Sequence, residues 1–372
     1  MILLMVSTGA IYALFILVSW AGWKRTKIFT GNLHSFKTRV SVVIAARNEE
    51  ENILSCLNAI AQQSYPKSLI EIIICDDHSD DQTATLVKDW ITQTALNAKL
   101  ISADAGMSGK KNALNQGVGT ATGELIITTD ADCTMGREWL SAMAGFYEKY
   151  SPSMICGMVA IRDEDDTLSA FQSLELLGLT AIGAAGIYFR RPVLCSGANL
   201  AYQKKIFEET GGYHASSETA SGDDTALMFR IAKINPRTIH FLKSTEAIVY
   251  TNAAANAGSF LSQRKRWGSK VLRQKNIASI LSGLMVFIFH ISIVISAILL
   301  LAGKMSWQPL AILLLLKIIP EWILLHTMIS FSGKKNLRQD ILLSQIVYPF
   351  YVALSALLSQ TGKYSWKKRE VK

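Results

Sequence analysis

Cysteine is scarce and unpaired in this sequence. There are five, Cys56, Cys75, Cys133, Cys156 and Cys195. An odd count without metal-ligand spacing argues against a disulfide framework and against a thiolate metal site. The expectation is reduced, partly buried thiols without a catalytic role, in a cytosolic domain. Ligand spacing is equally missing among His34, His78, His214, His240, His290 and His326, which read as structural or surface residues. There is no internal repeat. The ionisable residues inside the C-terminal apolar segments are His290, Lys317, Glu321 and His326. Both facts weigh against a small transporter. Basic residues are missing ahead of the apolar run at 2–23, while Lys24, Arg25 and Lys27 follow it. That charge order is the reverse of a secretory signal peptide, and it orients residue 24 onward toward the cytoplasm.

Apolar residues are abundant. They make up 50 % of the 372 positions, and the excess sits at the N-terminus and in the last hundred residues. The run at 2–23 is long enough to cross a ~30 Å hydrocarbon core. Further apolar stretches cover Leu168–Phe189, 277–302, 309–331 and 341–360. Leu168–Phe189, with three glycines and Glu175 as its one charge, is expected as an interfacial or re-entrant helix. Lys317 and Glu321 are four apart and suit a pair on one helix face. Four simple spans would leave the C-terminus outside, whereas the basic tail 363–372 argues for inside. A hairpin or interfacial helix at 309–331 would resolve that conflict, unless the tail breaks the rule. Net charge is +9. Its basic residues cluster beside apolar segments, so anionic lipid is the expected partner and nucleic acid is not.

Residues 40–135 alternate strand and helix signals. Val40–Ala45, Ile70–Cys75, Ala98–Ser102 and Glu124–Thr129 read as strands, with a helix start at Asn48-Glu49-Glu50-Glu51 and a helix over Gly109–Val118. This order implies an α/β fold with a doubly wound, mostly parallel sheet, flanked by transmembrane helices. The strand at Leu125-Ile126-Ile127 runs into Asp130-Ala131-Asp132. Two carboxylates at i and i+2 share a face if the backbone stays extended. They suit a hard divalent cation that is also held by substrate phosphates. The plainer reading is an acidic turn.

Six short motifs then fall in order. They are Ala45-Ala46-Arg47-Asn48-Glu49, Asp76-Asp77-His78-Ser79-Asp80-Asp81, Gly109-Lys110-Lys111-Asn112-Ala113-Leu114-Asn115, Asp130-Ala131-Asp132, Gly222-Asp223-Asp224 and Gln263-Arg264-Lys265-Arg266-Trp267. Together they resemble a membrane-embedded family-2 glycosyltransferase with an A-type nucleotide-sugar domain, in the Q-x-x-R-W branch that includes cellulose, chitin, hyaluronan and poly-N-acetylglucosamine synthases.

The resemblance implies roles. Ala45, Arg47, Glu49, Asp76 and Asp77 would hold the base and ribose of the donor. Lys110 would meet its phosphates, though a solvated lysine is the plainer alternative. Asp130 and Asp132 would hold Mg²⁺ or Mn²⁺, with Asp130 also on the donor. Asp224 would be the catalytic base with Asp223 beside it; family members often have Thr-Glu-Asp there, so the choice between the two is open. Gln263, Arg266 and Trp267 share a helix face by spacing. Arg266 would bind pyrophosphate and Trp267 would stack on the acceptor. A basic interfacial helix with a Trp anchor is the alternative. Ser196 and Gly197 would contribute an acceptor-side loop.

The resulting expectation has four parts: an N-terminal transmembrane helix (1–23), a basic linker (24–39), a cytoplasmic glycosyltransferase domain with interfacial helices (40–275), and a C-terminal membrane region with two or three spans and a basic tail (276–372). The protein would be a multi-pass inner-membrane enzyme. It would move a sugar, with inversion, from a nucleotide-diphosphate sugar, with a UDP-sugar as the expected donor, to a lipid-linked or polysaccharide acceptor. A single-transfer lipid glycosyltransferase and a non-catalytic nucleotide-sugar-binding subunit are the alternatives. Partner subunits from a biosynthetic locus are compatible with each.

Overall fold

A computed structural model describes residues 2–31, 36–104, 109–162, 164, 166–213, 223–273, 276–359, 364–366 and 369–371. Gly222 and the tail lysines Lys363, Lys367, Lys368 and Lys372 lie outside them. The chain divides into two compact units. One holds residues 26–162 and 195–252, the other residues 1–25, 163–194 and 253–372. The boundary thus differs from a continuous 40–275 domain, because 163–194 and 253–275 cluster with the apolar helices.

In chain order, helix α1 is Ile2–Arg25, β1 is Val40–Ala46, α2 is Ile53–Ala61, β2 is Ile70–Asp76, α3 is Thr83–Gln93 and β3 is Asn97–Ser102. There follow α4 (Lys110–Thr120), β4 (Leu125–Asp130), β5 (Thr134–Met135), α5 (Trp139–Tyr150), β6 (Met154–Gly157), β7 (Val159–Ile161) and α6 (Thr167–Tyr188). The remainder is β8 (Leu200–Gln203), α7 (Lys204–Glu209), α8 (Asp223–Ile234), β9 (Ile239–Leu242), β10 (Val249–Thr251), α9 (Ala257–Arg273), α10 (Ile277–Leu301), α11 (Trp307–Ser332), α12 (Ile341–Ser359), β11 (Tyr364–Trp366) and β12 (Arg369–Val371).

The first unit is built on a seven-stranded sheet in the order β3-β2-β1-β4-β8-β6-β9. β3, β2, β1 and β4 are mutually parallel, and β8 is antiparallel to both neighbours. The central strands are mostly apolar because both faces are covered; Val40, Val42, Val43, Ile72, Ile73 and Ile74 are fully buried. A smaller sheet runs β5-β10-β7. The expected helix start at Asn48 is corrected. Asn48 has φ +51, and the helix begins at Ile53 after Asn52. A left-handed backbone suits Asn, and here it turns the chain out of β1.

The second unit is helical. Gly22 of α1 lies against Ala185 of α6 and Gly9 against Phe289 and Leu313, close approaches that a side chain would block. Tyr12 stacks on Phe289 at 4.3 Å. α6 is one unbroken helix with an Asp166–Ser169 capping box. Its glycines pack under neighbouring chain, as Gly183 does under the Leu194 carbonyl. α11 is likewise continuous through Pro320, so the hairpin expectation at 309–331 is removed. Among the described residues, five helices are long and apolar enough to cross a membrane: those beginning at Ile2, Thr167, Ile277, Trp307 and Lys335. All five cysteines are free.

Candidate active site

The parallel register brings the ends of three strands level. Ala45 of β1 pairs with Cys75 of β2 and with Asp130 of β4, and Ala46 pairs with Asp76. Ligands of open α/β sheets bind at this carboxyl edge. Asp76, Asp77 and Asp130 therefore reach one edge from two strands on either side of β1.

The loops after β1 and β2 are tied to each other. The Asn48 N–H donates to Ser79 Oγ at 3.1 Å, and the Asp80 N–H to Asn48 Oδ1 at 2.9 Å. Arg47, only 7 % exposed, donates through Nη1 to the carbonyls of Asp77 (2.5 Å) and His78 (2.8 Å). Its Nη2 lies 3.3 Å from the Asp80 carboxylate. Arg47 thus fastens the Asp76–Asp81 loop, a task its motif position did not reveal. Glu49 Oε2 accepts from Asn52 Nδ2 at 3.0 Å. Asp77 Oδ1 accepts the Gly109 N–H at 2.8 Å, at the start of α4. Gly109 has φ +116, a conformation that favours glycine. Lys110 follows it, and its Nζ donates to Asp130 Oδ1.

β4 ends at Asp130, and the Cys133 N–H returns to the Asp130 carbonyl at 3.1 Å. Asp130 and Asp132 therefore do not share a face on an extended strand, as the sequence implied. A tight turn carries Asp132 instead. Burial, reinforced by the negative charges of Asp130 and Glu49, pushes the Asp132 carboxyl up to about 6. Burial beside the same aspartates also holds Cys56 and Cys133 protonated. A divalent cation fits this donor set: its oxygens are hard ligands under mutual repulsion, and one already rests on the ammonium of Lys110. Among the described residues no three His, Cys, Asp or Glu side chains form a cage. A hard cation at such a site takes its remaining ligands from phosphate oxygens and water.

Asp224 reaches the same strand from the other side. Its Oδ2 accepts the Gly197 N–H at 2.7 Å and its Oδ1 the Thr225 N–H at 2.8 Å. The Gly197 carbonyl accepts from Thr128 Oγ1 of β4 at 2.8 Å. Asn199, fully buried, holds this loop from behind. It accepts from Trp139 Nε1 at 3.0 Å and donates to the carbonyls of Met158 and Ala247 at 2.7 Å each. Sequence reasoning missed it, since a lone buried Asn leaves no periodic signal. Ser196 precedes the Gly197–Asn199 turn in extended backbone. Asp223 begins α8, with its side chain outside the described residues. Gln263, Arg266 and Trp267 lie on α9 in the helical unit.

Residues 41–211 match the model of the family described as Glycosyl transferase family 2. Glycosyltransferase AglE of Haloferax volcanii is 36 % identical over 101 residues, covering 27 % of this chain and 33 % of AglE. A poly-beta-1,6-N-acetyl-D-glucosamine synthase of Staphylococcus epidermidis is 25 % identical over 278 residues, covering 70 % of this chain and 60 % of the synthase. The chain therefore spans between 33 % and 60 % of the length of these curated relatives. Among solved structures, mannosyltransferase PcManGT from Pyrobaculum calidifontis, in complex with GDP-Man and Mn²⁺, matches with a TM-score of 0.61 at 18 % identity. That match covers 96 % of this chain and 99 % of the other, and it shows the A-type α/β fold. With the motifs in order and the sheet edge they line, residues 41–211 carry a glycosyl transferase family 2 domain.

Proposed function

We propose that this protein is a membrane-embedded, inverting glycosyltransferase that takes a sugar from a nucleotide-diphosphate donor and passes it to the hydroxyl of a lipid-linked or polysaccharide acceptor at the cytoplasmic face. The observation that carries the reading is Asp224, a carboxylate held by two backbone N–H groups and tied through Gly197 to the strand that ends in Asp130.

Asp224 is the base: fixed by Gly197 and Thr225, it accepts the proton of the acceptor hydroxyl as that oxygen attacks the anomeric carbon. One base and one in-line displacement give inversion without a glycosyl-enzyme intermediate. Asp76 and Asp77 hold the nucleoside, and Arg47 keeps their loop in place. Lys110 meets the negative charge that grows on the departing diphosphate. Asp130 and Asp132 would hold Mg²⁺ or Mn²⁺, which supplies Lewis-acid neutralisation of the leaving group when bound. The roles of Gln263, Arg266 and Trp267 on pyrophosphate and acceptor rest on their motif.

The donor is a UDP-sugar in this reading. The Staphylococcus epidermidis relative, a synthase of an N-acetylglucosamine polymer, supports an N-acetylhexosamine as the first sugar to try. The test is release of nucleoside diphosphate from a panel of nucleotide sugars by the full chain in membranes, with Mn²⁺ or Mg²⁺. Turnover of one donor, abolished by EDTA, Asp132→Asn and Asp224→Asn, supports the proposal. Binding of a donor with no turnover under any acceptor condition would favour a non-catalytic subunit.

A further inference from the structure

The Gln263–Trp267 motif is built around the residue in its second position. Arg264 belongs to no assigned role, and a basic residue on an amphipathic helix is ordinarily solvated. Here it is 8 % exposed. Its Nε donates to Glu175 Oε2 at 2.7 Å, and its Nη2 lies 2.5 Å from the same carboxylate. Its Nη1 donates to Gln263 Oε1 at 2.8 Å. The guanidinium sits over two rings of its own helix, 4.6 Å from the Phe260 centroid and 4.1 Å from the Trp267 centroid. Tyr351 of α12 completes the cluster. Its hydroxyl donates to Glu175 Oε1 at 2.6 Å, and its ring stacks on Phe260 at 5.3 Å.

We infer that the Glu175–Arg264–Tyr351 network positions Gln263 and Trp267, so that Arg264 serves the transfer step through those two neighbours. The inference rests on the proposed role of that motif. Three features carry it. Arg264 spends its planar fork on two partners at once, Glu175 below and Gln263 beside it. Lysine keeps the charge but has neither the fork nor the flat face that stacks on indole. Glu175 is the single charge between Leu168 and Phe189. A buried acid needs a partner, and Arg264 and Tyr351 satisfy both of its oxygens. α6 also grips the approach to α9, where the Ala254 N–H donates to Gln172 Oε1 at 2.8 Å and Gln172 Nε2 donates to the Ala254 carbonyl at 3.1 Å. α6 thus fixes both the start of α9 and the rotation of its motif face. Trp267 and Gln263 lose rotamer freedom before any acceptor arrives, which is the pre-organisation an acceptor site needs.

The test uses the full chain in membranes with the accepted donor and acceptor, and compares Arg264→Lys, Tyr351→Phe, Trp267→Ala and the double variant Arg264→Lys with Trp267→Ala. Arg264→Lys should lower kcat about tenfold or more while the donor KM stays within about twofold, the pattern of an interaction made in the transition state. Tyr351→Phe, which removes one hydroxyl, should lower kcat about three- to tenfold. The double variant should lose clearly less than the product of the two single losses, because part of the effect of Arg264 runs through Trp267. If Arg264→Lys fails to bind nucleoside diphosphate and so fails to fold, the cycle is run with Tyr351→Phe instead. Multiplicative losses in the double variant, or an unchanged kcat in the single ones, would overturn the inference. A wild-type chain without turnover sinks the proposed function itself, so the two failures are distinct.

Discussion

The Gly197 N–H donates to Asp224 Oδ2 at 2.7 Å, so the carboxylate proposed as base is aimed by a backbone amide and needs no second side chain. Exchange for Asn keeps the shape and removes the proton acceptor. Asp224→Asn should lower kcat about 10²- to 10⁴-fold and leave nucleoside-diphosphate affinity nearly unchanged. Calorimetric titration of the nucleotide beside a turnover assay separates the two quantities. A variant that turns over at the wild-type rate would move the base to Asp223.

Burial and the neighbouring charges of Asp130 and Glu49 both disfavour the charged form of Asp132. A divalent cation that binds the folded chain should therefore raise its melting temperature, by mass action worth about 2.7 kcal/mol at a hundredfold excess over Kd. EDTA should reverse the rise. Asp132→Asn removes one repelling charge, so its cation-free form should melt at or above the wild type and show no response to Mn²⁺. A full Mn²⁺ response in that variant would assign the cation to other ligands.

Much of the sheet was legible because its strands are buried on both faces and read as Val- and Ile-rich runs, as in Val40–Ala46 and Ile70–Asp76. The acids were legible as strand endings. Their placement was not, because it depends on turns. Asn48 and His78 adopt left-handed backbone, and the chain folds back after Asp130. Arg47 looked like a ligand contact because a charged motif residue gives no sign of being buried. Arg264 looked solvated for the mirror-image reason: its partner Glu175 is 89 residues away, beyond any local pattern.

Glu71 offers a pH test far from the acids of the carboxyl edge. Burial alone would raise its carboxyl, but donors from Ser41, Thr122 and Lys99 outweigh it and hold the group below its ordinary range. The contacts are short: Ser41 Oγ at 2.5 Å, the Thr122 N–H at 2.7 Å and Lys99 Nζ at 2.9 Å. A lowered folded pKa gives stability that is fully present above the unfolded value and lost as pH falls through the folded one. The melting temperature should hold above about pH 5 and fall progressively below it. Glu71→Gln should be less stable at pH 7 by about 1.5–3 kcal/mol for charged hydrogen bonds lost, and should lose less on acidification. Parallel pH curves for the two proteins would show that Glu71 carries none of the acid sensitivity.

The last test concerns the helical unit. Lys317 Nζ lies 2.9 Å from Glu321 Oε2 and also donates to Gln345, while Tyr12 donates to Glu321 Oε1 at 2.6 Å. Lys317 is fully buried and Glu321 nearly so. The pairing expected from their spacing is thus present, and it ties α1, α11 and α12 together. Removing one partner strands a buried charge, which costs about 3–5 kcal/mol, whereas a neutral hydrogen bond between membrane helices is worth about 0.6 kcal/mol. Lys317→Met and Glu321→Gln should therefore each destabilise the protein strongly. The double variant should recover most of that loss, because Gln at 321 can still meet Tyr12 and Gln345 and no charge remains. Thermal unfolding of the four proteins in the same detergent measures the coupling. Additive losses would mean that the two charges are each solvated, and the ion pair would then contribute nothing to holding these helices together.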